Sequence, residues 1–503
     1  MNWKCIFLFC CISLSLPVMG CSQTAAPKKP NIVFFLADDL GYGDIGVNNP
    51  KSRIPTPNID KLAGQGMRFT DAHCVGALCA PSRFGLLTGR DAASWKNFNN
   101  IEGEAWDCKT MPQMLKERGY YTSIVGKWHY GVLFEGEDGR WGYVNPISGR
   151  FPKPSDNWKL DAPTRLGPLD RGFDYFFGTP IQPGNKWYAN MEGRTLVGNV
   201  ILEEDKPVSD EFIHQDWLKQ ITDKAKEQIK IGASREEPFF LYFPINSPHK
   251  PIIPDEEFRG VTGIGKYGDF VHQVDWCVGE ILKAVDDTGI SDNTIFIFAS
   301  DNGSFYYPGS RNSNREDEDE LKINGHKANG IYKAGKGSSE EGGHRIPYIV
   351  RWPGHIKAGS VSNQLVSLAD HFATFASITG YHLKETEALD SWDISPIWKG
   401  EVTNEKIDRT LFHLNGNPEV VAVRHGKWKL IPECYYKSRS KQDDEPERIR
   451  IPAQLYDLSS DPGEKENIHD LHPVIVKDLT DRLNLYQKAK HNAPHIKNGT
   501  IKL

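Results

Sequence analysis

The sequence predicts an α/β fold, with a buried sheet flanked by helices and a smaller strand-rich tail. Three observations predict it. Residues 31–37, 238–244 and 293–300 are short apolar runs with polar residues on either side, the pattern of strands covered on both faces of a parallel sheet. Between such runs lie stretches with helical spacing, such as Val271, Val274, Val278, Ile281 and Leu282 within 267–286. After residue 400 the pattern changes to short strands at 410–414, 420–424, 427–431 and 455–458, closed by one helix at 471–488.

At 503 residues, 39% hydrophobic and 25% charged, the chain has the composition of a soluble globular protein with more than one structural unit. With a net charge of −6, nothing in the composition points to nucleic acid. An anionic substrate would therefore need local positive charge. Residues 1–20 read as a signal peptide: Lys4, then an apolar run too short to span a bilayer, then Val18-Met19-Gly20-Cys21. That ending resembles a bacterial lipoprotein cleavage site, with Cys21 lipidated and 21–30 as a polar tether. The chain is then expected to be exported, as a periplasmic or outer-membrane/cell-surface lipoprotein of a bacterium, touching membrane only through its lipid anchor. Of nine cysteines, Cys74, Cys108, Cys277 and Cys434 are too scattered for a metal-type pairing, and either disulfides or free thiols fit them.

Taken in order, the 31–37 strand runs into Asp38-Asp39. Adjacent carboxylates at a strand end repel unless a cation lies between them, and hard oxygen ligands suit Ca²⁺ or Mg²⁺. Residues 56–63 start a helix through Ile59, Leu62 and Ala63, and 66–70 form a turn and strand. Residues 77–90, Ala-Leu-Cys-Ala-Pro-Ser-Arg-Phe-Gly-Leu-Leu-Thr-Gly-Arg, place Cys79 just before a helix whose first position suits Pro81. The helix dipole and Arg83 are expected to lower the thiol pKa and to hold an anion. The 120–125 strand leads through Gly126 to Lys127 and His129, which face one site if the segment stays extended. Trp141, Trp158 and Trp187 fit either sugar platforms or loop packing. Prolines flank His249-Lys250 and fix its backbone. The 293–300 strand ends in Asp301-Asn302-Gly303, a second delivery of oxygen ligands. Residues 305–333 read as an insertion, charge-dense at 311–320, with His326 and Lys327 as further candidates for substrate contact. In 334–347, glycines around Lys336 allow close approach.

The 77–90 run resembles the first signature of the sulfatase family, whose cysteine is oxidised to formylglycine. Residues 119–129, Gly-Tyr-Tyr-Thr-Ser-Ile-Val-Gly-Lys-Trp-His, are similar to the second signature. Ala37-Asp38-Asp39-Leu40-Gly41-Tyr42-Gly43-Asp44, residues 172–178, the His249 segment and residues 334–347 resemble further family motifs, in family order. The resemblance implies an alkaline-phosphatase-like mixed sheet flanked by helices, a catalytic domain over 31–400, and a C-terminal subdomain over 401–503 made of an antiparallel sheet with a helix. It also implies roles. Asp38, Asp39, Asp301 and Asn302, with the modified Cys79, would hold Ca²⁺ in preference to Mg²⁺. Cys79, as hydrated formylglycine made by a maturation enzyme, would be the nucleophile, supported by Arg83. Lys127 and Lys336 would neutralise sulfate, His129 would take a proton from the hydrate, and His249 would protonate the leaving alkoxide while contacting substrate.

The expected activity is hydrolysis of sulfate esters on a sulfated carbohydrate, a glycosaminoglycan or an algal polysaccharide fragment. Two other readings fit the same residues less well: a phosphodiesterase or phosphonate hydrolase on this core, and a non-catalytic carbohydrate-binding relative.

Overall fold

The computed structural model describes residues 1, 28–95, 98–144, 151, 157–183, 187–307, 325–402, 407–416, 421–437 and 448–489. The leader, Cys21, the tether up to residue 27 and the charged 311–320 stretch lie outside the described residues.

Ten strands make one mixed sheet: β1 (Asn31–Asp38), β2 (Met67–Phe69), β3 (Tyr121–Lys127), β4 (Tyr175–Thr179), β5 (Met191–Glu192), β6 (Thr195–Leu196), β7 (Phe239–Pro248), β8 (Thr294–Ser300), β9 (Tyr348–Arg351) and β10 (Ser360–Ser362). Their order is β10-β2-β9-β8-β1-β7-β3-β4-β5-β6. β8, β1, β7 and β3 are neighbouring parallel strands, and β9 adds to β8 antiparallel. Every residue of β1 is buried. Ile32, Phe34 and Leu36 enter one apolar cluster, while Val33, Phe35 and Ala37 enter another, as the two-residue period of a strand requires. Each large apolar side chain so covered stabilises by about 1.5–3 kcal/mol.

The helices divide between the two faces. The second cluster includes side chains of α1 (Pro57–Gln65), α4 (Trp217–Ala233) and α5 (Lys266–Asp287). The first includes side chains of α2 (Cys79–Thr88), α3 (Met111–Glu117), α6 (His371–Thr379) and α7 (Pro473–Ala489). In α5 the buried positions Val271, Val274, Val278, Ile281 and Leu282 are those that the spacing picks out.

The tail forms a four-stranded antiparallel sheet of β11 (Thr410–Leu414), β12 (Val421–His425), β13 (Trp428–Ile431) and β16 (Gln454–Asp457), in that order. Phe412, Val423, Leu430 and Leu455 join the first cluster, so this sheet shares the core of the large one. A hairpin of β14 (Cys434–Lys437) and β15 (Arg448–Ile451) was not expected from the sequence. Its second strand alternates basic and apolar residues, too short a signal to read alone. No helix among the described residues is long and apolar enough to cross a membrane. Cys74, Cys79, Cys108, Cys277 and Cys434 are all free thiols.

Candidate catalytic site

Four of the five neighbouring parallel strands bring candidate groups to one edge. β1 ends in Asp38-Asp39, β8 leads into Asp301-Asn302, β7 leads into His249 and β3 ends in Lys127. Carboxyl ends of parallel strands are where open α/β sheets hold ligands. Here they bring together residues separated by more than 260 positions: the Asp39 amide donates to Asp301 Oδ1 at 3.1 Å, and Asn302 Nδ2 donates to Asp39 Oδ1 at 2.7 Å.

Cys79 is delivered by α2, which begins at Cys79 itself, with Leu78 as the N-cap. Pro81 therefore occupies the third helical position, not the first. Its missing N–H costs nothing there either, since the first four amides of a helix lack intrahelical partners. Cys79 Sγ donates to Asp38 Oδ1 at 3.2 Å and lies 4.0 Å from Asp39 Oδ1 and 3.4 Å from Lys336 Nζ. The expected low thiol pKa is overturned. Burial and the Asp301 and Asp38 carboxylates push the thiol well up, against the opposing pull of Lys127 and Lys336. Desolvation and two nearby anions outweigh the helix dipole.

Cations balance the acids. Lys127 Nζ lies 2.5 Å from Asp38 Oδ2, and Lys336 Nζ lies 2.7 Å from Asp39 Oδ1. Arg83, fully buried, donates through Nε and Nη2 to Asp301 Oδ2 at 3.0 and 2.8 Å, with Asp38 Oδ2 3.4 Å away. Burial raises Asp38, but Lys127, His249, Arg83 and Lys336 outweigh it and hold the carboxyl well below the usual range. Burial and then repulsion from Asp38 push Asp301 up to about 6.

The two histidines differ. β3 stops at Lys127, and His129 has a left-handed φ of 84°, so the extended geometry expected across 127–129 does not hold. The imidazole is nevertheless half-buried within electrostatic reach of Lys127, Arg83, Asp38 and Lys336; desolvation first, then the cations, lower its pKa well below the ordinary value. His249 Nε2 lies 3.7 Å from Asp39 Oδ2, and burial and Lys336 lower its pKa to about 4. Its Nδ1 donates to the Lys250 carbonyl at 2.6 Å, which also accepts from Gln182 Nε2 at 3.3 Å. Gln182 carried no sequence signal, since it acts through a backbone group.

The donor set fits a hard cation. Asn302 Oδ1 is buried with no hydrogen-bond partner among the described residues, and Asp38, Asp39, Cys79 and His249 place potential ligand atoms within 4.8 Å of one another. Asp39 has a left-handed φ of 66°, which aspartate tolerates better than most residues. The lysine segment packs against this site through glycines. A Cβ on Gly303 would lie 1.8 Å from the Gly342 carbonyl oxygen.

His326, a substrate-contact candidate in the sequence, is instead buried on Asp44 at 2.8 Å, which also accepts from Tyr267. Lys327 is exposed. Trp187 is fully buried and donates to the Ala189 carbonyl, so it packs its loop. Trp141 lies under the Arg165 guanidinium.

Comparisons with known proteins place the fold and the family. Residues 30–381 match the Sulfatase family model, and residues 336–489 match a model described as N-sulphoglucosamine sulphohydrolase, C-terminal. The chain is 33% identical to an N-acetylgalactosamine-6-O-sulfatase of Bacteroides thetaiotaomicron, over 92% of this chain and 95% of that one. It is 33% identical to an N-acetylgalactosamine-6-sulfatase of Mus musculus, over 83% of this chain and 74% of that one. A solved structure from work on the metabolism of multiple glycosaminoglycans by Bacteroides thetaiotaomicron superposes with a TM-score of 0.74 at 32% identity, covering 92% of this chain and all of that one.

Proposed function

The chain belongs to the sulfatase family and is a sulfuric ester hydrolase; from that premise we propose that it desulfates a glycosaminoglycan fragment, with 6-O-sulfated N-acetylgalactosamine the first substrate to test. The proposal covers the finer chemistry too. Cys79 is matured to formylglycine by a separate enzyme, and Asp38, Asp39, Asp301 and Asn302 hold Ca²⁺. The observation that carries it is the seating of Cys79 Sγ between the Asp38 carboxylate and the Lys336 ammonium, 3.2 and 3.4 Å away.

When present, the cation offsets the charge of the sulfate ester and the hydrated aldehyde supplies a hydroxyl to attack sulfur and a second to release it. The remaining work falls to side chains. Lys127 and Lys336 neutralise sulfate oxygens as charge builds. Arg83 holds Asp301 and Asp38 in place. His129 would take a proton from the second hydroxyl at an imidazole nitrogen; its lowered pKa keeps the ring neutral and so free to accept, though as a weaker base than an ordinary histidine. The Lys250 carbonyl fixes His249 Nδ1–H and so the ring's orientation; without substrate the ring is neutral with Nε2 bare, so His249 gives a proton to the departing sugar oxygen only after the anionic substrate has favoured a proton on Nε2.

We read residues 31–400 as the catalytic domain, 401–503 as a C-terminal subdomain and 1–20 as a lipoprotein leader ending at Cys21. Radiolabelled palmitate incorporation that persists in Cys21→Ala would overturn the anchor. The test of function is sulfate release from 6-O-sulfated and 4-O-sulfated N-acetylgalactosamine, a carrageenan oligosaccharide and a matched phosphate ester, with the mass of the Cys79 peptide measured on the same preparation. Turnover of the phosphate ester above every sulfate would count against the reading, as would an unmodified thiol in active enzyme.

A further inference from the structure

A second buried polar chain runs beside the catalytic groups. Lys429 Nζ on β13 lies 2.9 Å from His344 Nε2, His344 Nδ1 lies 2.9 Å from His73 Nδ1, and His73 Nε2 lies 2.8 Å from Asp71 Oδ1. His73, His344 and Lys429 are fully buried. One proton assignment satisfies these three contacts, although the Ser339 carbonyl, 3.1 Å from His344 Nε2, competes with Lys429 for that nitrogen, and Arg424 Nη1 faces His73 Nε2. An ammonium can only donate, so Lys429 donates to His344 Nε2. His344 Nδ1–H then donates to His73 Nδ1, and His73 Nε2–H donates to the carboxylate. Both imidazoles are neutral in this arrangement, as their burial favours.

The chain crosses between parts that matter to the site. His73 lies on the segment leading to Cys79, and His344 lies on the segment that carries Lys336. Backbone bonds repeat the connection. The Leu414 carbonyl of β11 accepts from Ala77 at 2.8 Å, the Ala77 carbonyl accepts from Gly337 at 2.7 Å, and the Gly337 carbonyl accepts from Gly416 at 3.0 Å. Asn415 Nδ2 donates to Ser339 Oγ at 2.9 Å. Ala77 is two residues before Cys79, and Gly337 is next to Lys336. Both therefore hang on the end of one strand of the small sheet.

We propose that His344 is a positioning residue, through which the C-terminal sheet sets the spacing of Lys336 from Cys79. This rests on reading those two residues as sulfate clamp and nucleophile. A competing reading takes His73, His344 and His413, whose ligand nitrogens lie within 4.8 Å of one another, as a metal site. His413 favours it, since its ring nitrogens are buried without a hydrogen-bond partner among the described residues. The cations weigh against it. Arg424 Nη1 lies 2.9 Å from His73 Nε2 and Lys429 lies as close to His344. Both are already paired with buried carboxylates, Arg424 with Asp71 at 2.7 Å and Lys429 with Glu341 at 3.1 Å, so two of the three imidazoles are engaged and the charge is balanced without a dication.

The test uses the full-length, matured enzyme with His344→Leu, His344→Asn and Asn415→Ala. Each is assayed for kcat and KM on an aryl sulfate, for Cys79 conversion by peptide mass, for thermal midpoint and for metal content. His344→Leu is expected to lower kcat by about tenfold or more, because small displacements of reacting groups cost large factors, with conversion unchanged and KM moving far less. His344→Asn keeps an N–H near the Nδ1 position for His73 and should recover part of the loss. Asn415→Ala, at a half-buried position, should lower kcat more mildly and decides the matter if His344→Leu does not fold. Folded His344→Leu and Asn415→Ala with wild-type kcat would overturn the proposal. So would stoichiometric zinc in the wild type that His344→Leu loses, which would assign the cluster to a metal. A wild-type enzyme that releases no sulfate from any substrate would instead strike the reading of Cys79 and Lys336.

Discussion

Replacing Arg83 with methionine probes the charge balance on which the site depends. Asp38, Asp39 and Asp301 face three cations, Lys127, Lys336 and Arg83, and the Arg83 side chain is wholly buried against Asp301 and Asp38. Methionine roughly matches the volume and removes the charge and both bonds to Asp301. Three buried carboxylates then face two lysines. Breaking a buried pair by deleting one partner costs about 3–5 kcal/mol, because the remaining charge is uncompensated. A divalent cation bound by the same carboxylates would supply the missing positive charge. Urea unfolding of Arg83→Met and wild type, each in EDTA and in millimolar Ca²⁺, should therefore show a gap of about 3–5 kcal/mol without calcium that narrows with it. A gap below about 1 kcal/mol in EDTA, or one of equal size in both conditions, would refute the account of these acids as a cation cage held open by Arg83.

Other perturbations separate the remaining claims. His249→Gln should lower kcat by about 10²–10⁴-fold on a sugar sulfate, whose alkoxide needs a proton, and much less on p-nitrophenyl sulfate; equal losses on both would remove His249 as the leaving-group acid. Gly303→Ala forces a methyl into the Gly342 carbonyl and should lower both the thermal midpoint and calcium affinity by calorimetry, whereas an unchanged midpoint would mean that the two segments can part freely. Burial, and then repulsion from Asp390, raise Asp91 to about 8. A carboxyl raised on folding contributes stability below its unfolded value near 4 that is lost as pH rises through about 8. Asp91→Asn should accordingly raise the melting temperature over wild type by more at pH 8.5 than at pH 5; a flat difference would contradict it.

Much of this was legible in the chain because the site is built from strand ends. An apolar run followed by Asp-Asp or Asp-Asn announces a buried strand, as at β1 and β8, but those acidic ends alone also fit a plain turn, and the family resemblance decides between the two. Cys79 was legible through its helix, but its ionisation was not. The helix start can be read locally, whereas Asp301 arrives from 222 positions away and dominates the thiol's field together with burial. His129 illustrates the same boundary: the residue type and spacing placed it at the site, while its left-handed backbone could not be foreseen. The place of His326, one of the further candidates, could not be read locally because its partner, Asp44, sits 282 residues earlier in the chain. The link from Leu414 and Gly416 to Ala77 and Gly337 left no sequence trace at all, since main-chain groups carry it.

The order of the strands has a bearing on diversification. β3 and β8 stand on either side of β1 and β7, and their carboxyl ends lead into described segments, 128–132 and 301–307, that belong to no strand or helix. Both segments leave the edge where Asp38, Asp301 and Lys127 lie, so changes of length or composition there would leave those strand-end groups in place. New sugars can thus be accommodated by rewriting such segments, leaving the reaction untouched.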